Sequence, residues 1–101
     1  MFVRTVRNSF SGSDDTAVLK LFNEKMKPLW TSQPGFHSIS RYRVVEGPHK
    51  DQMMVVTRFE NKEAHDKAMK AVGEKREAIL KEIHAAGVKM EETMLLEEAT
   101  D

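Results

Sequence analysis

The sequence predicts an α+β fold, a four-stranded antiparallel sheet carrying two helices on one face. Three observations point there. Stretches of period two and of period 3.6 succeed one another in the order β-α-β-β-α-β. Turn-forming residues fall at the junctions: "SGSDD", "QPGF", "EGPHKD" and Gly87. The length, 101 residues, allows one domain (1–101), with about 97–101 expected to fray.

Phe2 to Phe10 reads as the first strand, with Phe2, Val6 and Phe10 on one parity and Arg4 and Asn8 between them. Asp14 or Asp15 can cap the helix that follows. Its apolar stripe is Val18, Leu19, Phe22, Met26 and Leu29, and Lys20, Glu24, Lys25 and Lys27 take the wet side. Pro28 has no amide to donate, so a kink or tightening is expected near the end. Pro34 then bars helix at Gln33, and Gly35 can take a positive φ at no steric cost. Phe36 to Glu46 resumes alternation, with His37, Ile39, Arg41, Arg43 and Val45 opposite Ser38, Ser40, Tyr42 and Val44. Gln52 to Glu60 is the strongest strand, joined to the second as a hairpin. Asn61 can cap the next helix, whose stripe runs through Ala64, Ala68, Ala71 and Val72, passes Gly73, and continues through Ala78, Ile79 and Ile83. Gly87 suits the C-terminal turn, and Val88 to Ala99 alternates again. This is the ferredoxin-like split βαβ order.

One strand is apolar on both parities. In "QMMVVTRF", Met53, Val55, Thr57 and Phe59 take one side, and Met54, Val56 and Arg58 take the other. A sheet with one wet face should alternate. The helices cover one side, so a second copy, sheet against sheet, is expected on the other as a homodimer.

Sixteen basic residues balance sixteen acidic ones, which argues against a nucleic-acid binder in need of a basic field. The absence of cysteine excludes disulfides, thiolate metal sites and cysteine nucleophiles. No signal peptide or membrane span is visible, so a cytoplasmic location is the default expectation. The four histidines, His37, His49, His65 and His84, fall on different elements and form no metal-ligand pair.

The stretches "QPGF", "SISRYRVVEG" and "MMVVTRFENKEAHDKAM" resemble the dimeric α/β-barrel superfamily, in its antibiotic-biosynthesis-monooxygenase-like branch. The resemblance runs from Phe2 to about Ala99. It implies that two sheets pair as a dimeric barrel, and that a monooxygenase-like protein binds an aromatic or apolar molecule between sheet and helices. The branch includes cofactor-free oxygenases acting on polycyclic phenols, which need a base, oxyanion donors and a dry cavity. Asn8 is the candidate oxyanion donor, with a wet strand-end residue as the plainer reading. His65, in the first turn of the second helix, is the candidate base, with a solvated helix residue as the plainer reading. Tyr42 and Arg58 are candidate pocket residues that could equally rest on the sheet. Phe22, Trp30 and Met69 are candidate ligand contacts, with core packing as the plainer reading.

The branch also includes haem-degrading enzymes that use an Asn on strand one and a Trp and a ligating His on the helical half. Asn8 matches the first. Ala68 and Glu77 stand where the Trp and His would be, and His84, two turns beyond Glu77, is the alternative haem ligand. A non-catalytic binding or interaction protein on the same fold is a third reading.

Overall fold

The computed structural model describes residues 1–99. Its elements are β1 (Phe2–Phe10), α1 (Thr16–Leu21), a π-helical turn (Phe22–Met26), α2 (Lys27–Thr31), β2 (Phe36–Arg43), β3 (Met53–Phe59), α3 (Lys62–Ala85) and β4 (Val88–Glu97). The strands form one antiparallel sheet in the order β2-β3-β1-β4, as the ferredoxin-like reading expects.

The first helix shows how spacing shapes geometry. Val18, Phe22, Met26 and Trp30 are each four residues apart and all are buried. In a pure α-helix a four-residue step overshoots a full turn by about 40°, so three steps would drift about 120° off the sheet. The π turn is wider and cancels much of that drift; its bond from the Lys27 N–H to the Phe22 carbonyl spans five residues. The irregularity therefore precedes Pro28, which opens α2 within its first two positions. Leu19, expected in the stripe, is 42% exposed, because the face is defined by the four-residue series beginning at Val18. Asp14 rather than Asp15 serves the helix start, its Oδ1 accepting from the Thr16 N–H at 3.0 Å and from the Thr16 hydroxyl.

After Trp30 the chain reverses. The Gln33 N–H donates to the Trp30 carbonyl and the Phe36 N–H to the Gln33 carbonyl. Gly35 has φ +79°, and a Cβ there would meet the Ala64 Cβ at 2.5 Å. Both the turn and the close approach of α3 therefore require glycine. β2 ends at Arg43, three residues earlier than expected, and Val45 is 69% exposed. A bulge between Phe36 and Ser38 sets His37 outside the alternation, so Phe36 and Ile39 both reach the helix side. α3 runs unbroken through Gly73, and the Asn61 side chain accepts from the Ala64 N–H at 2.9 Å at its start. Its buried positions are His65, Ala68, Val72 and Ile79; Ala71 and Ala78, expected there, are exposed. The strand pairing extends to the Glu98 N–H, which donates to the Met1 carbonyl. The last two residues of the expected frayed tail lie outside the described residues.

Cross-strand register assigns every strand residue a face. The helix face carries Phe2, Arg4, Val6, Asn8 and Phe10 from β1, with Met53, Val55, Thr57 and Phe59 from β3 beside them. The other face carries rows such as Val3–Arg58–Leu96 and Thr5–Val56–Met94, with Met54 paired to Tyr42. Leu96 and Met94 are 44% and 37% exposed there.

Candidate functional site

At the Phe2 end the two layers are packed solid. Phe59 is fully enclosed, with Trp30 and Phe36 meeting its ring edge-on at 5.8 and 6.2 Å. Toward the Phe10 end the layers part around a cavity of about 100 Å³. Its floor is the helix face of the sheet, from the Arg4–Thr57 row outward past Asn8 and Met53. Its roof is Phe22 and Met26 from the π turn, with Leu80 and Ile83 from α3. Trp30 is the partition between the solid and hollow ends. The rim includes the half-exposed Asp15 and Met90.

The polar groups in this apolar wall are few. Asn8 lies beside the β4 bulge, where the register slips between Arg7 and Asn8, and its Nδ2 reaches the Val6 carbonyl only weakly, at 3.4 Å. Bulges at strand ends re-aim side chains in this way. Three guanidinium groups also line the cavity: Arg4 from β1, Arg41 from β2 and Arg76 from α3. Arg41 lies 3.8 Å from the Asp15 carboxylate and 5.4 Å over the Phe22 ring. Arg76 lies 3.7 Å from Glu77, whose side chain is largely in water. Arg4 has no hydrogen bond or ion pair among the described residues. Burial, and then the neighbouring Arg76, push Arg4 down to about 10. Burial also lowers Arg41 and Arg76, opposed by Asp15 and Glu77 respectively. All three remain charged at neutral pH.

Of the residues singled out in the sequence, Asn8, Phe22 and Trp30 line the cavity and the others do not. His65 is 3% exposed, its ring 4.9 Å from Phe2 and 5.3 Å from Phe59, so neither a solvated nor a cavity position describes it. Its Nδ1 meets the Asp66 carboxylate at 2.9 Å, which requires a proton on Nδ1, and its Nε2 faces the core without a partner. Tyr42 and Arg58 are on the opposite face of the sheet, where strand alternation places them; Arg58 there reaches Ser38 at 3.4 Å, and Arg58 and then Ser40 hold the Tyr42 phenol below its ordinary value. Met69 packs against the core outside the cavity. His84 is exposed and donates from Nδ1 to the Val88 carbonyl at 3.1 Å, closing the end of α3. These positions do not fit haem: His84, the candidate ligand, stands outside the cavity. Among the described residues, no group of three or more His, Asp or Glu is placed to hold a metal ion. Among them, too, no helix is long and apolar enough to cross a membrane.

The three arginines were missed in the sequence, although each occupies a core position in its pattern. Arg4 shares the parity of Phe2 and Val6, Arg41 that of Ile39, and Arg76 falls in the helical series 65, 68, 72, 76, 79, 83.

Comparison with known proteins agrees with this fold. A sequence model of the family described as antibiotic biosynthesis monooxygenase matches residues 1–89. SnoaB, a cofactor-independent oxygenase from Streptomyces nogalater, has TM-score 0.74 and 15% identity, covering 99% of this chain and 94% of that one. The ActVA-Orf6 monooxygenase of Streptomyces coelicolor, solved with the ligand nanaomycin D, has TM-score 0.68 and 16% identity over 99% and 88%. An ethyl tert-butyl ether (ethd) family protein from Bacillus halodurans has TM-score 0.63 and 19% identity over 98% and 100%. At these identities the likeness is one of fold. No curated protein matches the chain by sequence.

Proposed function

The chain belongs to the antibiotic biosynthesis monooxygenase family, and we propose that it is a cofactor-independent oxygenase acting on an electron-rich aromatic molecule held between sheet and helices. The observation that carries this is the apolar cavity with the Asn8 amide in its wall. Phe22, Trp30 and Val55 exclude water from the ring system. Asn8 donates to the oxygen on which negative charge develops when the ring loses a proton. Asp15, the one carboxylate in the wall, accepts that proton. The substrate carbanion then reacts with dioxygen; conversion of a CH₂ to a C=O with release of water balances both oxygen atoms. The fold family's cofactor-independent neighbours support the same chemistry. His65 is assigned to the core, where Phe2 and Phe59 enclose it.

Oxygen uptake with a panel of anthrone-like phenols, which carry the reacting CH₂, tests the proposal. Wild type should consume oxygen, and Asn8→Ala should lose on the order of a hundredfold in rate, the usual cost of one oxyanion donor. His65→Phe, which keeps the core filled, should retain turnover; loss of turnover in folded protein would return the base role to His65. Saturable binding with no oxygen uptake would favour the non-catalytic reading.

We also propose that the protein works as a homodimer in which a second copy covers the Val3–Val56–Met94 face. The support is that this face is apolar and uncovered while its reverse carries the helices. Sedimentation should give twice 11.6 kDa, and Val56→Lys should halve that mass.

A further inference from the structure

Three guanidinium groups on three different elements converge on one small apolar cavity, in a chain whose sixteen basic and sixteen acidic residues balance only when these three are counted. Positive charge is costly in such a place without a partner, so an anion entering the cavity would be favoured there. The residues in the wall bring only one carboxylate, Asp15, and it is directed to Arg41. Glu77 lies beside Arg76 but is turned to water, where a pair at 3.7 Å is weak. Arg4, between the layers, has no partner among the described residues, and the charge that acts on it is the like-charged Arg76.

We infer that the cavity recognises an amphipathic carboxylate, its acid group bridging Arg4 and Arg76 at the inner end beside Trp30 and its ring or short alkyl body lying along Val6, Val55 and Leu80. This rests on the cavity being the ligand site, and it adds the class of ligand. The planar fork of arginine suits a carboxylate held by two parallel hydrogen bonds. A neutral phenol or alkane would leave both guanidinium groups uncompensated, so the preference is built into the unliganded protein. The acid group anchors the ligand at the Arg4 row and points its body outward toward Asn8 and the rim, two rows along β1. An anchored acid at one end and a reacting carbon at the other is an arrangement that fixes which carbon meets the Asn8 amide.

Trp30 is the only tryptophan and lies in the cavity wall, so its fluorescence reports occupancy. The experiment titrates the full chain with 3-phenylpropanoate and with 3-phenylpropan-1-ol, which share a shape and differ in charge. The acid should bind at least about tenfold more tightly, and its affinity should fall as salt rises while that of the alcohol does not. Arg4→Met and Arg76→Met should each bring the acid toward the alcohol's affinity, leaving the alcohol unchanged or improved; Arg4→Lys should restore part of the preference. A merely structural role for either arginine would lower both affinities alike. Equal affinity of acid and alcohol, or an acid preference that survives both methionine variants, would overturn the inference while leaving the cavity as the ligand site. Absence of any Trp30 response to either probe up to their solubility limits would overturn the ligand-site reading along with it.

Discussion

The two ends of the same pair of layers are built differently. At the Phe2 end, Phe2, Phe59, Phe36 and His65 interlock, and Phe59 has no exposed surface. At the Phe10 end the sheet and helices carry comparable apolar side chains, yet they stand apart and arginines enter the gap. One end is packed for stability and the other keeps a vacancy. Aromatic rings edge-to-face fill space completely. At the hollow end Arg4, Arg41 and Arg76 line the space that the rings leave.

The largest expected effect belongs to the solid end. Phe59→Ala should cost about 3–5 kcal/mol in chemical denaturation, the usual range for deleting a fully buried aromatic ring. A loss below about 1 kcal/mol would mean that the Phe2 end is no more tightly packed than the hollow one. Gly35→Ala should cost about 2 kcal/mol, since it forces a positive φ and a clash with Ala64 at once. Asn61→Ala removes the cap at the α3 start and should cost about 1 kcal/mol. At the hollow end, Ile83→Phe should change stability by less than about 1 kcal/mol, because the ring enters existing space, while abolishing the Trp30 response to ligand. Strong destabilisation there would show that the cavity does not accept added volume.

The smallest effect is one of pH. The Thr16 hydroxyl and then its N–H hold the Asp14 carboxyl below its ordinary 3.8, so the folded state favours the ionised form. Its contribution is therefore complete above that ordinary value and is lost as pH falls through the lowered one. Between pH 5 and 3 the melting temperature of Asp14→Asn should fall less steeply than that of wild type, and parallel curves would remove Asp14 from the account.

Periodicity and turn chemistry made the topology legible. β1 begins and ends where alternation says, and Asn61 and Gly87 punctuate α3 as expected. What periodicity missed has local causes. The bulge at His37 is a one-residue insertion that a strict period of two cannot show, and the π turn hides in a four-residue spacing that resembles α-helix. The candidate site was half legible. Asn8, Phe22 and Trp30 reach the cavity because each lies on the face that its pattern buries. Tyr42 and Arg58 carry suitable chemistry, but strand parity turns them the other way. His65 was weighed by its chemical type, although its place in the series with Ala68 and Val72 marked it as core.

On the proposed function, ligands enter between the layers at the Phe10 end and not over the bare face of the sheet. The methionines report on both. Met26, Met53 and Met90 line the cavity, Met54 and Met94 stand on the opposite face, and Met69 packs beyond the cavity wall. With ¹³C-methyl methionine and a one-ring hydroquinone added under nitrogen, the account predicts resonance shifts at Met26, Met53 and Met90 and none at Met54, Met94 or Met69. Shifts confined to Met54 and Met94 would contradict it.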